Sequence, residues 1–312
     1  MSRALLFPGQ GSQYLSMGKS LADASADARS VFEEVNDALS QNLSNIMWGD
    51  DENALRLTEN TQPALMAHSM AIIRMVEKSG HAVCDMASHV AGHSLGEYSA
   101  LCAVGSLSLA DTAKLLKLRG QAMQRAVPVG VGAMAAILGL ELHDLRAITA
   151  DAAGEDVCVT ANDNAPGQVV ISGHKAAVER AIELAKESGA KRGILLPVSA
   201  PFHCPLMQPA ADEMQQALTD VTIKEPSLPV IANVIAEPVT DVESLRVLLT
   251  EQVTGAVRWR ESMASMQGLG VDKAVEIGSG KVLSGLMRRI DRTIETTNIQ
   301  DIDDVDAFLA AL

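Results

Sequence analysis

The pentapeptide Gly92-His93-Ser94-Leu95-Gly96 restricts the fold of this chain more than any other feature. It matches GxSxG, a pattern in which small flanking residues let a strand turn sharply into a helix and hold a serine hydroxyl exposed in a strained conformation. Such a turn needs an apolar strand before it and a helix after it. Ser88 to Gly92 and the small-residue stretch from Gly96 to Val104 supply both. Two more strand-to-helix transitions are legible. Arg3 to Phe7 is an apolar run ended by Pro8-Gly9 and opening into the loop Gly9-Gln10-Gly11-Ser12-Gln13. Ala274 to Ile277 leads into Gly278-Ser279-Gly280 and an apolar-periodic stretch through Met287. Strands alternating with helical patterns predict an α/β fold, a large α/β-hydrolase-like domain whose mostly parallel sheet is covered on both faces.

The middle of the chain carries a different order. A strand at Ala133 to Leu138 is followed by a helix at Glu141 to Ala152, strands at Val157 to Ala161 and Gln168 to Ser172, a helix at Lys175 to Glu187, and a strand at Ile194 to Val198. This β-α-β-β-α-β succession is the ferredoxin-like arrangement, complete within about 70 residues. The expected organisation is therefore a discontinuous catalytic domain, 1–128 and 199–312, with a small inserted ferredoxin-like domain at 129–198. Pro128 to Gly132 and Pro197 to Pro201 serve as its hinges.

The remaining composition excludes several classes. At 312 residues and 47% apolar content the chain can fill a sizeable core. No apolar run approaches the roughly 20 residues needed to span a bilayer, and Met1-Ser2-Arg3 followed by Ala4-Leu5-Leu6-Phe7 shows no cleavable signal organisation, so no membrane association and a cytoplasmic location are expected. A formal charge of -14 without a basic cluster argues against nucleic acid. Cys84, Cys102, Cys158 and Cys204 form no CxxC pair, which indicates reduced thiols, no metal site and no disulfide framework. A monomer is expected.

A serine hydroxyl needs a base within hydrogen-bond reach. His93 adjoins Ser94 with its side chain directed away from the hydroxyl. His68, His81, His143 and His174 fall on or beside helices among polar residues and are expected to be solvated, and His89 enters a strand in a structural role. His203 differs, because Ser199-Ala200-Pro201-Phe202-His203-Cys204-Pro205 follows a strand end and is stiffened by prolines. It is the expected base. The Leu95 N–H, at the amino end of the following helix, is the natural first donor to an oxyanion, and the glycine-rich first loop lets Gln10 supply a second.

Arg119 stands out by position. Ser108 and Asp111 resemble a capping box, and the helix they open carries Leu109, Thr112, Ala113, Leu116, Gly120 and Met123 on the face that also holds Arg119. A guanidinium among apolar side chains needs a carboxylate or its equivalent, either an internal Asp or Glu or a carboxylate on the substrate. Gly278-Ser279-Gly280-Lys281 lacks the spacing of a P-loop, and Gly9-Gln10-Gly11 lacks the third glycine of a dinucleotide fingerprint, so no cofactor is expected.

Phe7-Pro8-Gly9-Gln10-Gly11-Ser12-Gln13, Gly92-His93-Ser94-Leu95-Gly96-Glu97, Arg119-Gly120 and Pro201-Phe202-His203 together resemble, in order and spacing, the malonyl-CoA:acyl carrier protein transacylase family, across essentially the whole chain. The resemblance implies that Ser94 is the nucleophile and His203 the base. It also implies that the N–H groups of Gln10 and Leu95 bind the oxyanion and that Arg119 clamps the malonyl carboxylate. Gln252 corresponds to a glutamine whose main-chain carbonyl orients the histidine, Asn162 to a position near the interdomain cleft, and Phe202 to the malonyl-selecting form of its motif. The implied reaction moves malonyl from malonyl-CoA, a substrate and not a cofactor, to the phosphopantetheine thiol of acyl carrier protein for fatty acid synthesis. The acidic carrier calls for a local basic patch, with Lys191, Arg192, Lys281, Arg288 and Arg289 as candidates. A discrete acyltransferase of a polyketide pathway, a serine thioesterase or esterase, and a non-catalytic acyl-CoA binding module are the alternatives. One departure is Ala256, where the family commonly has proline before Val257-Arg258-Trp259.

Overall fold

The computed structural model describes residues 2–198 and 200–312; Ser199, at the expected domain boundary, lies outside the described residues. Ten strands are present among them: β1 (Arg3–Phe7), β2 (His89–Gly92), β3 (Gly132–Leu138), β4 (Cys158–Ala165), β5 (Gln168–His174), β6 (Arg192–Leu195), β7 (Val230–Ile231), β8 (Pro238–Val239), β9 (Lys273–Ile277) and β10 (Glu295–Ile299). They form two sheets. The first has the order β10-β9-β1-β2-β7-β8 and is parallel except for the terminal β7–β8 pair. The second, β4-β5-β3-β6, is antiparallel throughout. This is the α/β class expected, with a ferredoxin-like strand order in the second sheet.

β1 and β2 are the centre of the first sheet, and both of their faces are covered. Leu5, Phe7 and Val90 enter one apolar cluster with the Thr58–Lys78 and Leu109–Ala126 helices. Ala4, Leu6 and Ala91 enter another with Trp259, Met263, Leu283 and Met287. A strand buried on both faces reads as a continuous apolar run, which is why Ala4-Leu5-Leu6-Phe7 does not alternate. Phe7 pairs with Gly92 in register, so the Gly9–Gln13 loop and the Gly92–Gly96 turn emerge side by side at the carboxyl edge of the sheet. That adjacency creates the site.

The second sheet packs one face on the Leu142–Ala153 and Lys175–Glu187 helices around Ile137, Leu145, Ile171 and Val178. Its other face, with Met134, Ala136 and Val170, is turned toward the first unit. Two strands depart most from their expected bounds, while β5 runs two residues past Ser172 to His174. β4 continues past Ala161 to Ala165 through two register irregularities, Thr160/Asn162 and Asp163/Ala165, a path that Asn-Asp-Asn's poor strand propensity concealed. β6 starts at Arg192 and stops at Leu195, ahead of Pro197, which has no N–H to donate to a ladder. β4 is also tied to the rest of the chain: Asp163 N donates to Val257 O at 2.9 Å, Val257 N to Ala161 O at 2.9 Å, and Arg260 Nε to Asp163 Oδ2 at 2.9 Å. With Gly255 N donating to Glu251 O at 2.7 Å, the backbone around Ala256 is pinned on both sides without the family's proline. Among the described residues no helix is long and apolar enough to cross a membrane, and no group of three or more His, Cys, Asp or Glu side chains is placed to hold a metal ion.

Candidate active site

Ser94 has φ +55°, in the left-handed region that a residue with a Cβ rarely occupies. Two glycines make the turn possible. A Cβ on Gly92 would meet the Gly96 carbonyl at 1.8 Å, and one on Gly96 would meet Phe7 O at 2.2 Å, so neither position accepts a side chain. The strained serine is over-determined by its surroundings. His93 N donates to Phe7 O at 3.0 Å, Ser94 N donates to Asn233 Oδ1 at 2.8 Å, and Ser94 O accepts from Gln252 Nε2 at 2.9 Å. Gly96–Ala103 then continues as a helix whose amino end faces the serine. Among the described residues the backbone N–H groups of Gln10 and Leu95 donate to no other group, and both residues line the same cavity as Ser94.

Ser94 Oγ lies 2.8 Å from His203 Nε2. His203 is itself at φ +57°, in the loop between Pro201 and Pro205, and is buried. Its Nδ1 lies 2.9 Å from Gln252 O and 3.2 Å from Gly255 O. Carbonyl oxygens only accept, so Nδ1 carries the proton and the Nε2 lone pair faces the serine hydroxyl. Burial, reinforced by the nearby Arg119 charge, pushes the His203 pKa down to about 3, so the imidazole is neutral at physiological pH. Among the described residues no carboxylate hydrogen-bonds this histidine; two main-chain carbonyls occupy that place.

Arg119 is 1% exposed and forms no ion pair among the described residues. Nη1 donates to Gln62 Oε1 at 2.9 Å, and Nη2 donates to Gln252 Oε1 at 2.8 Å and to Ser94 Oγ at 3.2 Å. The guanidinium carbon sits 5.7 Å from the Tyr98 ring centroid, and Nε has no hydrogen-bond partner among the described residues. Of the two alternatives open for this arginine, the internal salt bridge is therefore absent: its partners are neutral amides and a hydroxyl. Glu97, whose charge acts on Arg119, gives its carboxylate to Gln252 Nε2 and Asn233 N instead, and burial pushes its pKa up to about 7.

These groups open into a cavity of about 330 Å³ between the two sheets. Gln10, Gln62, His93, Ser94, Leu95, Arg119, Asn162, Asn164, Phe202 and His203 line it, together with the apolar Met123, Met134, Val170, Leu196, Val198 and Val282. Every site residue expected from the sequence is at or beside this cavity: Gln252, not in its wall, touches Ser94, Arg119 and His203 from behind. The constellation can pass a proton between serine and imidazole, offer two N–H groups to a developing oxyanion, and pair one carboxylate with a buried cation.

Four contributors escaped sequence reasoning. Gln62 sits on the Thr58–Lys78 helix, whose near-complete burial leaves no polar face to mark it. Asn164 accepts a hydrogen bond from His93 Nε2 at 2.8 Å, across the cleft. Asn233 follows a two-residue strand that carries no pattern. Glu97 was visible beside the serine motif, but nothing local gave it a partner. One histidine needs correcting as well. His68, expected to be solvated, is fully buried, with Nε2 2.8 Å from Gln300 O and its pKa pushed down to about 4 by burial. The helix carrying it is covered on all sides, so its polar neighbours do not mark a wet face.

The model of the acyl transferase domain matches residues 4–303. A malonyl CoA-acyl carrier protein transacylase of Bacillus subtilis is 43% identical over 310 residues, covering 99% of this chain and 96% of that protein. An acyl-carrier-protein S-malonyltransferase from Bartonella henselae superposes with a TM-score of 0.98 at 53% identity, covering 100% of this chain and 99% of the other. A malonyl-transacylase solved in complex with a type II PKS acyl-carrier protein superposes at 0.96 with 39% identity, covering 100% of both chains. Likeness of this extent makes this chain a member of the acyl transferase family, among the malonyl CoA-acyl carrier protein transacylases.

Proposed function

We propose that this chain transfers malonyl from malonyl-CoA to the phosphopantetheine thiol of acyl carrier protein, supplying fatty acid synthesis, through a malonyl-Ser94 intermediate. The observation that carries this reading is the buried Arg119 guanidinium, without an acidic partner and 3.2 Å from the Ser94 hydroxyl. A cation in that place is of no use to an uncharged acyl chain, but it fits a substrate carboxylate a few bonds from the reacting carbonyl.

In the first half-reaction His203 Nε2 takes the Ser94 Oγ proton as the oxygen attacks the thioester carbonyl. The resulting oxyanion is received by the N–H groups of Gln10 and Leu95. Collapse breaks the C–S bond, and the coenzyme A sulfur leaves with the proton from His203. In the second half the carrier thiol gives its proton to His203 and attacks the serine ester. The C–O bond then breaks and the proton returns to Ser94. Gln252 O and Gly255 O hold the imidazole tautomer throughout, in the place an aspartate takes in a Ser-His-Asp triad. Phe202 and Asn162 bound the acyl pocket. These steps draw on coenzyme A as substrate and on no cofactor. The reading includes a monomer in the cytoplasm, with residues 129–198 as the small domain over the cleft.

For the carrier we assign the basic groove of Lys191, Arg192 and Arg289, beside Glu141. Arg289 Nη1 donates to Gln168 Oε1, and Gln168 also lines the catalytic cavity, so the groove leads to the mouth of the site. The deciding experiment is mass spectrometry of the protein mixed with malonyl-CoA, followed by addition of holo carrier protein. A malonyl adduct on Ser94 that moves to the carrier thiol is expected. An adduct that persists in Ser94→Ala, or that is released to water at the same rate with and without carrier, refutes the reading.

A further inference from the structure

The peptide joining Ser94 to Leu95 carries two functions at once. Its N–H is the Leu95 donor assigned above to the oxyanion, and its carbonyl is Ser94 O. Because a peptide unit is planar and trans, with C=O and N–H pointing opposite ways, whatever fixes Ser94 O also fixes the direction of the Leu95 N–H. Ser94 O accepts from Gln252 Nε2 at 2.9 Å and from the Glu97 backbone N–H at 3.0 Å. On the other side of Ser94, Asn233 accepts from Ser94 N at 2.8 Å and donates through Nδ2 to Gly92 O, one peptide earlier, at 2.8 Å, while His93 O accepts from Gly96 N at 3.0 Å.

These two amides converge on a single atom. Glu97 Oε2 accepts from Asn233 N at 3.0 Å and from Gln252 Nε2 at 2.9 Å. Glu97, Asn233 and Gln252 are each 1% exposed or less. The carboxylate thus sits one helical turn past the nucleophile, ties the segment that follows β7 to the Val242–Thr254 helix, and forms no ion pair among the described residues. A buried acid without a cationic contact is costly to keep unless its hydrogen bonds do something the fold needs. Here they hold the left-handed turn whose geometry a serine does not adopt unaided.

We propose that Glu97 and Asn233 are positioning residues that aim the oxyanion-binding Leu95 N–H through the two peptides flanking Ser94. The inference rests on the malonyl-serine reading, and its test is built so that the two fail separately. Single-turnover acylation by malonyl-CoA separates the affinity for the substrate from the rate of forming the Ser94 adduct. Removing one oxyanion donor costs on the order of 10²-fold in rate. Glu97→Ala and Asn233→Ala are therefore expected to lower the acylation rate by about 100-fold, with malonyl-CoA affinity, which depends on Arg119, held within about threefold. Glu97→Gln keeps an oxygen for both donors and is expected to restore the rate to within about fivefold of the parent. Where an alanine variant does not fold, Glu97→Asp keeps the charge and withdraws it from both donors, and a loss of about tenfold in rate alone is expected. Acylation of these variants at the parent rate overturns the proposal, as does a parallel loss of affinity and rate that Glu97→Gln does not rescue. Absence of any Ser94 adduct in the unmodified protein instead refutes the malonyl-serine reading on which it rests.

Discussion

Replacing Arg119 with alanine separates recognition of the carboxylate from the chemistry of acyl transfer. The guanidinium is buried and bridges Gln62, Gln252 and Ser94. In the complex it would face a substrate carboxylate that has left water, and removing one partner of such a buried pair costs about 3–5 kcal/mol. At about 1.4 kcal/mol per factor of ten, kcat/KM for malonyl-CoA should fall by roughly 10²-fold to a few thousand-fold. Acetyl-CoA presents no carboxylate. Two effects on the catalytic pair then oppose each other. Ser94 Oγ loses the Nη2 donor that favours its ionised form, while His203 is released from the positive charge that, after burial, most depresses its pKa, and so becomes the stronger base. Acetyl transfer should therefore change by no more than about threefold. Parallel assays of both thioesters with purified carrier protein give the ratio directly. If malonyl and acetyl transfer fall in equal proportion, Arg119 is a structural residue and the carboxylate clamp is wrong.

Burial of His68 predicts an acid-labile fold. Its pKa is about 4 when folded against 6.5 when exposed, so between these values the unfolded chain binds more protons and stability falls as pH drops, while above pH 6.5 this residue costs nothing. The loss approaches about 3 kcal/mol by pH 4. Thermal melts of His68→Gln should show a smaller decline between pH 7 and pH 5 than the parent, and an unchanged decline would place the sensitivity elsewhere. For the carrier groove, reversing Lys191, Arg192 and Arg289 to glutamate should raise KM for carrier protein about tenfold, each exposed charge contributing up to about 1 kcal/mol. Transfer to free pantetheine should stay within about twofold, and the gap between the two acceptors should narrow as salt rises. An equal loss with both acceptors would show damage to the cavity and not to docking.

What could be read from the sequence divides along a physical line. Ser94 was legible because its turn is marked within five residues: a Cβ on Gly92 would strike Gly96, and Gly96 in turn is closed to a side chain by Phe7 O on the adjacent strand. Arg119 was legible because a helix repeats, so a cation on an apolar face shows itself through Leu116, Gly120 and Met123. His203 was picked out by two prolines, a weaker signal, since they stiffen a loop without saying where it points. The second sheet followed from its element order, yet the Asn162–Ala165 end of β4 did not, because irregular pairing with β5 overrides a run of residues that disfavour strands.

The unread part of the site has one cause. Asn233 reaches Ser94 across 139 residues of sequence and stands in no periodic or glycine-marked segment; Gln252, expected only through the family resemblance and for its main-chain carbonyl, reaches Ser94 with its side chain across 158. A hydrogen bond of that span leaves no trace in local pattern, because its two ends are selected for each other and not for their neighbours. Glu97 makes the point most sharply. It stands three residues from the nucleophile, in the first turn of a helix, where an acidic side chain usually interacts with the helix dipole in water. Only the arrival of β7 and of the Val242–Thr254 helix converts it into a buried acceptor for both arms of the clamp. The strained serine and the residues that hold it strained are thus encoded by different rules, the first steric and local, the second polar and long-range. A chain that kept the glycine-serine turn but lost these distant amides would still look like a nucleophile in sequence, while its oxyanion donor pointed the wrong way.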